Sequence, residues 1–137
     1  MNSINFKTGD WFDIVSQIQK PGDDSILNGK EYMLLYVCAN WSATCRKMET
    51  ETLANRQVCD FFNANFLNMR IYLGNVPETA DITHKLNEVL DATIETLPHF
   101  LFLNHRGKVV HQAAGDFSPH DLLLEAKAAL SFKFNWV

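Results

Sequence analysis

The chain has 137 residues, of which 47% are hydrophobic and 20% are charged. This length and composition are typical of one globular domain with its own core, and they argue against a disordered chain. Twelve Lys and Arg against sixteen Asp and Glu give a net charge of −4. Because acids and bases are interspersed, no basic stripe favours nucleic acid as a partner. No apolar run approaches the roughly 20 residues of a membrane-spanning helix.

The first twenty residues carry charges and lack the apolar run of a secretory signal peptide. The sequence as written therefore predicts a cytoplasmic protein, whereas earlier removal of a leader would place it in the periplasm or outside the cell. The odd number of cysteines argues against a disulfide framework. The five histidines have no metal-ligand spacing, so neither a metal nor a cofactor is expected.

The first half of the chain predicts a helix, a buried strand, two helices and a second strand. Apolar residues three and four positions apart predict a helix at 11–18 with Asp10 as N-cap, ended by a loop at 21–24. The continuous apolar run at 32–37 predicts a central strand buried on both faces. Residues 42–63 suit one helix, a turn near 54–55 and a second short helix, and residues 66–73 predict the next strand.

The second half predicts a helix, a hairpin and a closing helix. A chain break at 74–77 is followed by a helical pattern at 80–90 and by a short apolar strand at 100–103. A turn at 104–107 leads to the hairpin partner at 108–112. Ser118 is the predicted N-cap of the last helix. The order predicts an α/β fold, with strands 32–38 and 66–73 parallel and strand 100–103 antiparallel to the centre.

The segment most informative about chemistry runs from Ala39 to Met48, where a buried strand ends and a helix begins. The unpaired amides of a first helical turn stabilise a thiolate and lower the pKa of a thiol placed there. Two thiols separated by two residues could both reach such a position. That geometry is the one that dithiol–disulfide exchange requires.

This segment resembles the active site of the thioredoxin-like superfamily, whose signature is an apolar strand, Trp-Cys-x-x-Cys and a basic residue at a helix start. Trp41, Cys45 and Arg46 match, and Ser42 stands in place of the first cysteine. The closest likeness is to small thioredoxin-like proteins related to the soluble end domain of the periplasmic disulfide reductases.

Further landmarks follow in the family's order. Residues 96–103 resemble its cis-proline segment, with Pro98 as that proline, residues 106–109 resemble its hairpin turn, and Gly115 resembles the glycine before its last helix. The resemblance spans about residues 10–132. It implies a thioredoxin fold, with a central mixed β-sheet flanked by helices on both faces, in a single domain over residues 1–137.

The resemblance also implies a site and a class of partner. Ser42 and Cys45 occupy the catalytic positions, and the substrate-binding positions are Trp41, Ala43, Thr44, Leu97 and Pro98. The implied partners are protein thiols or disulfides, or an extended peptide, and a monomer is the favoured state. No cofactor is implied.

Two departures from the family pattern bear on activity. A serine hydroxyl is not ionised near neutral pH and cannot replace a thiolate in exchange chemistry. Tyr36 stands where the family often has a buried acid, and a phenol with a pKa near 10 is a poor proton shuttle. Serine at position 42 is compatible with a natural residue and with an engineered Cys-to-Ser replacement.

Three functions therefore compete. The first is an oxidoreductase scaffold whose exchange is disabled at Ser42, and the second is a redox-inactive module that binds peptides beside Trp41 and the 97–98 loop. The third is an enzyme that uses Cys45 as its one reactive cysteine.

Each of these residues also has a purely structural interpretation. Ser42 suits a helix N-cap, and Cys45 suits a buried small hydrophobe as well as a reactive thiol. Cys38 is predicted in the core, Cys59 at a semi-exposed helix position and His99 at the surface.

Overall fold

Four strands form one mixed sheet in the order β2-β1-β3-β4. Their bounds are β1 (Tyr32–Ala39), β2 (Phe66–Leu73), β3 (His99–Asn104) and β4 (Val109–Ala114). β1 pairs in parallel with β2 and antiparallel with β3, and β4 pairs antiparallel with β3. The predicted central strand and both of its neighbours are confirmed. The structure, a computed structural model, describes residues 3–20, 22, 25–74 and 76–131, without the side chains of residues 76–79.

Helices cover both faces of the sheet. Their bounds are α1 (Trp11–Gln19), α2 (Ala43–Glu51), α3 (Arg56–Asn65), α4 (Val76–Leu90) and α5 (Pro119–Ser131), with a 3-10 turn at Ser25–Leu27. Asp10 caps α1, because its Oδ1 accepts hydrogen bonds from the amides of Phe12 and Asp13 at 2.8 and 3.2 Å. Ser118 Oγ accepts from the Asp121 amide at 3.1 Å. Within the described residues, no helix combines the length and apolar character needed to cross a bilayer.

Alternation along β1 divides the core into two clusters. Leu34, Tyr36 and Cys38 face α2, α3 and α5, whereas Leu35 and Val37 face α1 and α4. All eight residues of β1 are buried, as expected for a strand covered on both faces. The carboxyl end of β1, where α2 begins, therefore lies at one end of a sheet that is covered on both faces.

The break predicted at 74–77 is too long. α4 begins at Val76, four residues before the predicted helical pattern, and Pro77 falls in its first turn, where a missing N–H costs no helical hydrogen bond. Asn75, and the loop positions Pro21, Asp23 and Asp24, lie outside the described residues.

Candidate active site

The turn between β1 and α2 ends at Ser42, which is the N-cap of α2. Its backbone is extended, and its Oγ accepts a hydrogen bond from the Cys45 amide at 3.2 Å. This bond satisfies one of the amides that a helix start leaves unpaired. The structural interpretation of Ser42 is thus confirmed, and its oxygen occupies the position at which the family signature has a sulfur.

Cys45 points into the core. It lies on the first turn of α2, and only 1% of its surface is exposed. It packs in the cluster that contains Cys38 and Met48. An external disulfide or electrophile therefore cannot reach the Cys45 sulfur unless α2 moves.

Tyr36 lies on the same face of the sheet, beneath the helix start. It is completely buried, and no described residue makes a hydrogen bond of ordinary geometry to its hydroxyl. Burial raises its pKa far above the ordinary value, with further contributions from the neighbouring Cys38 and Glu49. Burial thus favours the protonated phenol, which makes Tyr36 a poor proton shuttle near neutral pH.

Cys38, also on this face, is an inert core thiol. It is fully buried, and burial raises its pKa to about 12. At neutral pH it carries no thiolate with which to replace a missing nucleophile. The prediction that Cys38 belongs to the core is confirmed.

Trp41 is the most exposed large hydrophobic side chain among the described residues, at 60%. Its ring is nevertheless fixed, because Nε1 donates a hydrogen bond to the Gly74 carbonyl at 3.1 Å, next to the end of β2. Ala43 is exposed and Thr44 is half-buried on the first turn of α2. A fixed aromatic face thus stands in solvent beside the helix start.

Leu97 and Pro98 lie at the same end of the sheet. His99 pairs with Val37 in the antiparallel register, so Leu97, two residues earlier, extends that register to Ala39 at the end of β1. The Leu97–Pro98 peptide bond is cis, and the Pro98 carbonyl accepts from the Gly115 amide at 2.9 Å. Among the described residues, none hydrogen-bonds to the backbone amide or carbonyl of Leu97. Those two groups can pair with an added extended chain.

The loop before α5 is tied to α2. Thr52 Oγ1 donates to the Phe117 carbonyl at 2.6 Å, and the Phe117 amide donates to the sulfur of Met48 at 3.3 Å. Lys47 forms an exposed ion pair with Asp116 at 3.1 Å, and the hydrogen bond to Asp116 raises the pKa of the Lys47 ammonium. These contacts hold the second half of α2 against the loop that precedes α5.

A cluster of polar side chains lies beside the site and was not predicted from the sequence. Glu49 accepts from Arg70 at 3.2 Å and from the Tyr72 hydroxyl at 2.7 Å, and the Arg70 guanidinium also stacks on the Phe6 ring. Arg70 and Tyr72 alternate on β2 toward α2. That alternation was visible in the sequence, but their partner on α2 follows only from the packing.

Two sequence predictions about burial are wrong. Cys59, expected to be semi-exposed, is only 3% exposed, and its thiol donates to the Leu53 carbonyl at 3.0 Å because the end of α2 folds over it. His99, expected at the surface, is 6% exposed, because it begins β3 facing α1 and α4. Its Nε2 lies 2.9 Å from Gln112 Oε1.

The described residues include no group of three His, Cys, Asp or Glu side chains arranged to hold a metal ion. The candidate site comprises Ser42, Cys45, Trp41 and the 97–98 loop, which lie at the carboxyl end of β1. The sheet order, the helices on both faces, the β1–α2 turn and the 97–98 loop together define a protein of the thioredoxin fold.

Family comparison agrees with the fold. The model of the thioredoxin-like domain matches residues 23–129, and the chain belongs to this family. Among curated proteins, none matches the sequence closely enough to show a relationship.

Solved structures of low sequence identity share the architecture. A DsbH oxidoreductase is 13% identical with a TM-score of 0.64, and the match covers 95% of this chain and 88% of that one. A disulphide isomerase from Xylella fastidiosa Temecula1 is 19% identical with a TM-score of 0.62, covering 93% and 98%. A thioredoxin from Thermus thermophilus is 16% identical with a TM-score of 0.67, covering 96% and 90%. At these identities the likeness concerns the fold.

Proposed function

We propose that this chain is a thioredoxin-like thiol–disulfide oxidoreductase scaffold in which Ser42 disables dithiol exchange. The whole chain acts as one thioredoxin-like domain, and the retained site binds an extended segment of a protein thiol or disulfide partner. The observation that carries the proposal is the Ser42 hydroxyl acting as a helix cap over a buried Cys45. The first exchange position thus holds an oxygen that is engaged in a backbone hydrogen bond.

The chemistry of exchange explains why one thiol is insufficient. A thiolate attacks a disulfide sulfur, a mixed disulfide forms, and a second thiol displaces the reduced product. Here the attacking position is Ser42, and Cys45 alone could form at most a mixed disulfide. Its neighbour Cys38 is a poor resolving thiol, because it is buried and its pKa is raised to about 12. The burial of Cys45 also disfavours the third function, in which Cys45 acts alone.

Binding requires less of the site than catalysis does. Trp41 offers a fixed, exposed aromatic face, and Leu97 has backbone groups that no described residue uses. An extended peptide gains affinity from backbone pairing and specificity from side-chain pockets. Both features are independent of the atom at position 42, which supports a binding role for the chain as it stands.

Insulin reduction with the electron donor usual for the family tests the chemical part of the proposal. The chain and its Ser42→Ala variant should show no turnover above the donor alone, whereas Ser42→Cys should reduce insulin. The double variant Ser42→Cys/Cys45→Ser should stop at a mixed disulfide visible by mass spectrometry. Turnover of the unmodified chain equal to that of Ser42→Cys would refute the proposal and favour Cys45 as an independent nucleophile.

Calorimetric titration with S-carboxymethylated insulin B chain, an unfolded polypeptide without free thiols, tests the binding part. Trp41→Ala should weaken binding by about tenfold, the loss expected for one buried aromatic anchor. Leu124→Ala is the matched control, because Leu124 is 51% exposed on α5. Equal affinities of both variants and the parent chain would contradict a binding role for Trp41. Inactivity of Ser42→Cys together with peptide binding would favour the redox-inactive module, with Tyr36 as a second cause of lost exchange.

A further inference from the structure

The end of the sheet opposite the candidate active site contains two adjoining cavities. The larger, of about 860 Å³, lies between the start of β1 and the β3–β4 hairpin. The smaller, of about 590 Å³, lies between the same residues and the ends of α3 and α5. Both are lined by residues 29–32. We call the larger one the hairpin cavity, and its lining includes Lys30, Tyr32, Asn104, Arg106 and Lys108.

The charge of this region opposes that of the whole protein. The chain has a net charge of −4, but the described residues that line the two cavities include four Lys or Arg and one acid, Glu31. Within the described part of the chain, neither Arg106 nor Lys108 forms an ion pair, whereas Lys30 donates to the carbonyls of Asn63 and Ala64 at 3.0 Å each. Arg106 and Lys108 therefore bring two positive charges to the hairpin cavity, against the one carboxylate of Glu31 among its described lining residues.

Asn104 provides an independent indication of a ligand. It is only 7% exposed, and its Oδ1 accepts from the amides of Arg106 and Lys108 at 2.9 and 3.1 Å. Two amide donors fix that atom as the oxygen, so the other atom is the donor Nδ2. Among the described residues, none accepts a hydrogen bond from Nδ2. Because Asn104 lines the hairpin cavity and its oxygen is already used, Nδ2 is the side-chain group that remains to donate to an oxygen of a bound ligand.

We propose that the hairpin cavity binds a small organic anion whose carboxylate or phosphate group lies among Asn104, Arg106 and Lys108. The anionic oxygens accept from Asn104 Nδ2 and pair with the two cationic side chains. The apolar body of the ligand packs on Tyr32 and Val110, which also line the cavity. A cavity of this volume is large enough for a small molecule, and its mainly polar lining suits a charged one.

This site is separate from the proposed peptide site. Tyr32 and Asn104 pair at the start of β1, whereas Ser42 lies beyond the other end of this strand of eight residues. Failure of one proposal therefore leaves the other untouched, and the two can be observed at different amides of the same protein.

Backbone amide NMR titration of the full chain tests the proposal with two anions and their neutral counterparts. The probes are AMP with adenosine as its control, and benzoate with benzyl alcohol as its control. AMP, benzoate or both should shift the amides of residues 104–108, leave those of residues 41–45 unchanged, and lose affinity as salt is added. A response to AMP alone identifies a phosphate ligand, and a response to benzoate alone identifies a carboxylate.

Arg106→Gln/Lys108→Gln should weaken anion binding by at least about tenfold, as expected for lost charge-assisted hydrogen bonds. Arg56→Gln/Lys85→Gln removes the same charge from exposed positions on α3 and α4 and should bind like the parent chain. The proposal is overturned if the hairpin amides stay unshifted with both AMP and benzoate, each at about 10 mM. It is equally overturned if adenosine or benzyl alcohol binds as well as its anion, or if both double variants lose affinity equally.

Discussion

The Ser42 hydroxyl oxygen accepts the Cys45 amide proton at 3.2 Å, so the two residues at the exchange positions are joined by a helix-capping bond. A sulfur at position 42 would be a weaker acceptor than this oxygen. Chemistry and stability are therefore coupled at one atom. The residue that we propose to disable exchange also caps the first turn of α2.

Replacement of Ser42 should therefore change stability as well as activity. Ser42→Ala should lower the free energy of unfolding by about 1 kcal/mol, because it removes an N-cap acceptor, and Ser42→Asn should retain most of it. Urea unfolding monitored by circular dichroism measures the difference. An unchanged midpoint for Ser42→Ala would mean that water caps the helix equally well.

All three thiols should be protected in the native state. Cys38, Cys45 and Cys59 are at most 3% exposed, and burial raises the pKa of Cys38 and of Cys59. A thiol-reactive disulfide reagent at pH 8 should label them slowly in buffer and completely in urea, because the thiolate must also be accessible to react. Ser42→Cys should add one rapidly labelled thiol. Rapid labelling of Cys45 in the parent chain would contradict its burial.

Alkaline pH should destabilise the fold through Cys38. Burial raises the pKa of its thiol from 9.0 to about 12. Between these values the native state keeps a proton that the unfolded chain releases, so the stability present below pH 9 is lost as pH rises through the folded pKa. One such proton contributes at most about 1.4 kcal/mol per pH unit.

Tyr36 acts in the same direction, because burial raises its pKa as well. Cys38→Ala should therefore flatten the fall in unfolding free energy above pH 9 without abolishing it. Urea unfolding at several alkaline pH values gives both slopes. Identical slopes for Cys38→Ala and the parent would show that the Cys38 thiol does not titrate differently in the two states.

Leu34 and Leu35 test the two-sided core directly. Both are fully buried, on opposite faces of β1 in different clusters. Each Leu→Ala change should cost about 2–5 kcal/mol, because each leaves a cavity in a covered face. Urea unfolding measures the loss, and the exposed Leu124→Ala is the control. A negligible cost at either position would place that face of the sheet in solvent.

The main elements were predictable from the sequence because their signals are local. The unbroken apolar run of β1 indicates burial on both faces. The caps at Asp10, Ser42 and Ser118 mark where helices begin, and each side chain makes the expected hydrogen bond.

Burial set by distant packing was not predictable. Cys59 follows an ordinary helical pattern, and only the return of the chain near Leu53 encloses it. His99 reads as a polar residue after a proline, but its place at the first position of β3 directs it into the core. The proposed ligand preference of the hairpin cavity likewise depends on Asn104. Its donor Nδ2 can be identified only because the turn places two backbone amides on its oxygen.

The exposed position of Trp41 gives the protein a natural optical reporter. Trp11 is 9% exposed and Trp41 is 60% exposed, so we expect the indole emission of Trp41 to be red-shifted relative to that of Trp11 and to be quenched by aqueous iodide. Trp136, the third tryptophan, lies outside the described residues. With Trp11 and Trp136 replaced by phenylalanine, emission comes from the candidate site alone. Occupancy beside the cis-proline loop then becomes a change in fluorescence that needs no attached label.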